Sequence, residues 1–211
     1  MVSGSHQYET RGAEKYLIPE AYIFSTLFRH CPFWSVAASW DQETNVTYAF
    51  LHCTSDAEEQ SIQRLKRYVS KLAPLAMHPI LIPVLIMDLE TNLTLRDDEN
   101  WTSVLSEIER ETRQGPRGGR RADPFDLDLP SIVQRLNGCS VFLSLIERES
   151  ETVLIHLDHA RRAISELQCA CLDKSNRLLE RHIKFLTESR KNLLLRLQNV
   201  QRRSQTQLQF V

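Results

Sequence analysis

The stretch that decides the fold is Leu172 to Val200, LDKSNRLLERHIKFLTESRKNLLLRLQNV. Leu172, Leu179, Leu186, Leu193 and Val200 recur every seven residues, while Ile183, Leu197 and Val211 fall four after that register. Such a repeat lays one apolar stripe along a helix and favours a coiled-coil-like seam. Asn176, Arg190 and Ser204 interrupt the second set, so the seam is imperfect. It packs either against the preceding helix or against a second copy of itself. No Gly or Pro stops this helix between Asn176 and Val211, and Asp173 to Ser175 offers the turn or cap that starts it.

Upstream, Ile132 to Cys169 has no internal proline and only Gly138, with apolar residues at 132, 136, 139, 143, 146, 153, 157, 160, 164 and 167. That spacing is helical, and Pro130-Ser131 opens it. Two long helices with a short connection pack antiparallel. Between them and the N-terminal half, Gly115-Pro-Arg-Gly-Gly-Arg-Arg-Ala-Asp-Pro124 buries too little apolar surface to offset the entropy of ordering;. It reads as a mobile loop.

The N-terminal half has a different texture. Residues 1–13 are polar and form a loose tail;. Trp34, Val36, Ala38 and Trp40 share one parity, Asp41 to Asn45 supplies turn residues, and Val46-Thr-Tyr-Ala-Phe-Leu51 is rich in β-formers, which together predict a hairpin;. Thr54-Ser55-Asp56 followed by Glu58 and Glu59 predicts a capped helix carrying Ile62, Leu65 and Val69 towards a core before Pro74;. His78-Pro79 opens the next helix, and Pro83 either kinks it or displaces its start. The apolar run from Leu81 reaches Leu95, and a second, polar-faced segment spans Asp97 to Arg113.

The fold class expected is therefore α+β, predominantly α. A loose tail (1–13), a small α+β region (14–114), a mobile loop (115–129) and a long helical pair (130–211) follow one another, with 14–211 forming one domain.

Composition narrows the function. The chain has 26 Lys and Arg against 27 Asp and Glu, so no field of one sign draws it to nucleic acid;. Five cysteines, Cys31, Cys53, Cys139, Cys169 and Cys171, include no CxxC pair and fit a reducing compartment;. The sequons at Asn45 and Asn92 carry weight only in a secreted chain, and the N-terminus has no signal peptide. The most apolar window, Pro79 to Met87, is under half of the roughly 20 residues that cross a bilayer, so no membrane span is expected within the sequence.

Catalytic patterns are missing: there is no Gly-rich phosphate loop, nucleophile elbow or HExxH sequence;. No catalytic or cofactor-binding residue is assigned, and an enzyme is the weakest class. His156 and His159, one helical turn apart, could share a metal, but a surface pair beside Arg161 and Arg162 is the ordinary reading. Asp97, Asp98 and Glu99, and then Glu107, Glu109 and Glu111, offer oxygen ligands to a hard cation without EF-hand spacing; a solvated helix face accounts for them equally. Arg117, Arg120 and Arg121 keep a glycine-rich loop soluble rather than hold phosphate. The metal ligands stay unassigned.

The order of segments resembles the fungal CorA-like family, relatives of CorA magnesium channels. The resemblance rests on Phe33-Trp34-Ser-Val-Ala-Ala-Ser-Trp40, Val46-Thr-Tyr-Ala-Phe-Leu51, His78-Pro79-Ile-Leu-Ile-Pro-Val-Leu-Ile-Met-Asp-Leu-Glu90 and Leu193-Leu-Leu-Arg-Leu-Gln-Asn-Val-Gln201, and covers roughly residues 15–211. It implies a soluble domain whose last helix is a stalk leading into two membrane helices with a Gly-Met-Asn pore signature, none of which this sequence contains. The expectation that follows is a non-catalytic, cytosolic domain of a divalent-cation transport protein, magnesium being the candidate ion, that self-associates through its long helices. The alternative is a soluble helical interaction module in which no ion matters.

Overall fold

The computed structural model describes residues 21–25, 33–41, 43–54, 58–113, 127–167 and 171–209. The expected tail, most of the glycine-rich loop with its three arginines, Cys31, Cys169 and the Ser55-Asp56 cap lie outside these residues. Among these residues three strands, β1 (Ala21–Ser25), β2 (Phe33–Asp41) and β3 (Val46–Thr54), precede four α-helices: α1 (Glu58–Lys71), α2 (Leu81–Glu111), α3 (Leu129–Glu166) and α4 (Asp173–Leu208), with a short 3-10 turn at Ala73–Leu75 between α1 and α2. The class is α+β, predominantly α. The chain divides into two compact units, one of Met1–Leu89 with His156–Lys184 and one of Glu90–Ile155 with Phe185–Val211.

In the first unit the predicted hairpin is present, with Val36 opposite Leu51 and Asp41 opposite Val46. It belongs to a three-stranded antiparallel sheet in the order β1-β2-β3. β1, Ala-Tyr-Ile-Phe-Ser, was not anticipated: five residues are too few for their alternation to stand out. Val36, Ala38 and Trp40 are buried, as their shared parity requires;. The Asp41 carboxylate closes the turn by accepting from the Glu43 N–H (2.9 Å) and the Thr44 hydroxyl (2.7 Å). Asn45 takes the left-handed conformation, φ 55°, which asparagine tolerates better than most residues;.

The same unit gathers the ends of three helices around His78, which is fully buried. Pro79 has no N–H, and the Ile80 N–H reaches His78 Nδ1 at 3.1 Å. Nε2 therefore carries the proton and donates to Asn176 Oδ1 at 2.7 Å;. Asn176 Nδ2 in turn donates to the Leu167 carbonyl at 3.2 Å, just past the end of α3. Burial holds the His78 pKa below its ordinary value and keeps the ring neutral, as this chain of bonds needs;. Of the two readings of Pro83, the displaced start is the one observed: α2 begins at Leu81. Pro83 then falls in the first turn, where its missing N–H costs no helical bond.

The second unit is helical. The core cluster draws Leu105 and Ile108 from α2, Ile132, Leu136, Cys139, Leu143 and Ile146 from α3, and Leu193, Leu197 and Val200 from α4. The apolar run and the polar-faced segment expected to be separate form one 31-residue helix, α2. Asp97 to Glu99 contains no breaker, and Thr91, Thr94, Asp98, Leu105, Ile108 and Thr112 continue one buried stripe through it. All ten apolar positions read from α3 are buried across the two units. Within this unit α3 and α4 run antiparallel, as expected: Ser150 meets Arg190, and Glu147 meets Gln201.

Two substitutions test this packing. Leu143→Ala, at a fully buried site, should lower unfolding stability by about 2–5 kcal/mol, whereas Val141→Ala, 65% exposed, should stay within about 0.5 kcal/mol. A Cβ added at Gly138 would meet Trp101 Cη2 at 3.7 Å, an ordinary contact. Gly138→Ala should therefore raise stability by about 0.5–1 kcal/mol in urea titrations.

Candidate functional site

The most unusual chemistry in the second unit lies on the α4 seam. Arg190 occupies an interior heptad position and is 1% exposed. Its Nε donates to Thr91 Oγ1 on α2 (3.0 Å), and its Nη1 donates to Ser150 Oγ on α3 (3.2 Å). Ser150 fills the gap between 146 and 153 in the α3 stripe, so the missing apolar member of one repeat faces the missing member of another. Thr91 is the α2 residue in the same stripe. Each position follows from the period of its own helix, and together they form a polar layer across all three.

Carboxylates surround the layer. Glu149, beside Ser150, has its pKa pushed up to about 7, chiefly by burial and further by Asp97, while Arg190 pulls it down. Glu90, next to Thr91, is buried. Asp98, fully buried, pairs with Arg196 at 2.7 Å. Burial raises its pKa, and the Arg196 charge works against that shift.

The expected acidic surface is thus largely occupied by arginines. Glu109 receives a forked pair from Arg203, Nε to Oε1 at 2.8 Å and Nη2 to Oε2 at 2.6 Å, the geometry in which charge-assisted bonds are strongest. Arg135 holds Glu111 at 2.9 Å and Glu107 at 3.3 Å. These partners lie more than twenty residues away along the chain, and no spacing rule within α2 could have named them. The solvated-face reading holds for Glu99, which is exposed, and fails for Asp98 and Glu109.

The histidine pair is in the first unit. His156 is kept neutral first by burial and then by His159, while Asp158 between them is taken by Arg161 (2.9 Å) and Arg162. Among the described residues no group of three or more His, Cys, Asp or Glu is placed to hold a metal ion. Cys139 is a core thiol, its pKa raised to about 11 by burial. Among the described residues, one helix, α3, is long and apolar enough to cross a membrane. An 18-residue window there reaches a mean hydropathy of 1.2, a length and composition that also suit a membrane span. Core helices meet the same criterion, and the apolar stripe of α3 is buried.

The charge layer makes a pH prediction. Glu149 titrates at about 7 in the folded chain against an ordinary 4.5, so the folded state holds the extra proton between those values. Stability then falls as pH rises through that window and levels off above it. Glu149→Gln should remove this loss, with a thermal midpoint that gains on the wild type as pH rises. His78 and His156 act oppositely, losing their contribution as pH falls below the ordinary 6.5, so variant and wild type are compared at each pH. Arg190→Leu should push the Glu149 pKa higher still, read by carboxyl-carbon NMR. In comparisons with known proteins, no family model matches the chain, and no curated protein or solved structure matches it.

Proposed function

We propose that the chain is a non-catalytic, cytosolic-side domain of a CorA-like divalent-cation transport protein, in which α4 acts as a stalk and the Arg190 layer sets the register of the helices around it. The observation that carries this reading is the layer itself. A buried charge costs stability, and fixing register is the best attested use of such a residue in a helix seam. A transmitting helix needs a defined register, because two packings can report a signal only if each is discrete. The segments that support the family resemblance are β2, β3, the start of α2 and the middle of α4. Magnesium is the candidate ion, acting by favouring one helix packing over another.

A second reading, an interaction module in which no ion matters, draws its support from the sheet rather than from the leucine-lined helices. Tyr48 and Phe50 on β3 are 62% and 70% exposed, with Val46 at 41% on the same parity, an apolar surface of the kind that binds partners.

Light scattering and thermal unfolding, run in millimolar magnesium and then in chelator at matched ionic strength, separate the two. The sensing reading expects a higher midpoint with magnesium, because a ligand that binds only the folded state must stabilise it, by about 2.7 kcal/mol at a hundred times Kd. An unchanged midpoint and mass would remove the ion from the account and leave the interaction module.

A further inference from the structure

β3 is the last strand of the sheet in the order β1-β2-β3, and among the described residues it pairs with β2 alone. It is nine residues long, and Val46-Thr-Tyr-Ala-Phe-Leu-His-Cys-Thr54 contains no Pro, Lys, Arg, Asp or Glu. Proteins usually blunt an edge of this length with a charge, a proline or a bulge, since its unpaired N–H and C=O groups form a template for another strand. The chain as a whole is rich in charge, at 25% of its residues, so the neutrality of this strand is local.

We propose that β3 is a homodimer interface, pairing antiparallel with β3 of a second copy about a two-fold axis at Phe50. The strand is suited to itself in three ways. With no formal charge from 46 to 54, a two-fold contact brings no like charges opposite one another, the usual obstacle to self-pairing. Centring on Phe50 places Tyr48 opposite His52 of the other copy and Ala49 opposite Leu51, so an aromatic ring meets an imidazole on either side of the axis, and the bulkiest pair, Phe50 with its mate, falls on the axis itself at a position that is 70% exposed. The contact also extends the exposed parity of Val46, Tyr48 and Phe50 into one face contributed by both copies, where the two Phe50 rings shield each other. This interface is separate from the helix seams and does not depend on the transport reading.

The test uses the full chain in light scattering at micromolar concentration. The expected result is twice the chain mass for the wild type and the single-chain mass for Phe50→Lys, which sets two ammonium groups across the axis at an exposed site that the fold does not need. A monomeric wild type would overturn the proposal, as would an assembly of any size that Phe50→Lys leaves intact. Register is read separately by disulfide capture. Directly opposed residues in an antiparallel pair lie about 4.5–5.5 Å apart at Cα, within disulfide reach, so Phe50→Cys should yield a covalent dimer beyond the wild-type background on oxidation. Val46→Cys, roughly 27 Å from its mate at about 3.4 Å per residue, should not. Equal crosslinking of both, or of neither, would rule out the register.

Discussion

A helix that contributes to a packed seam must fill every position at alternating spacings of three and four, whatever residue stands there, because a gap forfeits contact on both sides. This constraint governs most of the chain. In α3 the stripe runs through ten apolar residues and Ser150, and in α4 through Leu172, Leu179, Ile183, Leu186, Arg190, Leu193, Leu197, Val200, Ser204 and Gln207, all buried. The polar members are inside because the period puts them there. Once inside, Arg190 and Gln207 draw their partners from other helices. Arg190 reaches Thr91 and Ser150, and Gln207 Oε1 lies 3.0 Å from the Thr112 hydroxyl.

The energetics of such layers explain why they are few. Removing one partner of a buried charge typically costs several kcal/mol, yet replacing the whole set with apolar residues of similar volume is often neutral or stabilising. Arg190 is thus poor evidence of stability for its own sake, and its place in the seam suits the register-fixing role proposed for it. The forked Arg203–Glu109 pair is cheaper, since Arg203 keeps a 37% exposed side chain and loses less hydration. At the exposed end of the scale, pairs such as Lys191–Glu188, with both side chains 57% exposed, contribute little.

Much of this was legible in the sequence. The seven-residue repeat gave the seams of α3 and α4, the parity of Val36, Ala38 and Trp40 gave the buried face of β2, and His78-Pro79 marked the entry to α2. The interruptions at Asn176, Arg190 and Ser204 were visible as well, but their meaning was not: a break in one repeat is interpretable only beside the break it faces, and Ser150 showed itself merely as an apolar residue missing between 146 and 153. The arginine partners of the α2 acids could not be read from local spacing, because they come from α3 and α4. The seam of α4 is occupied by this chain's own residues, so self-association of the long helices would have to use their outer faces.

Hydrogen exchange along α4, followed across a wide range of protein concentration, tests the central claim that the seam is satisfied within one chain. The account predicts that the amides from Leu186 to Val200 stay strongly protected and that their protection does not change on dilution. Protection in that stretch that fades as the protein is diluted would mean that a second copy completes the seam, and the account would be contradicted.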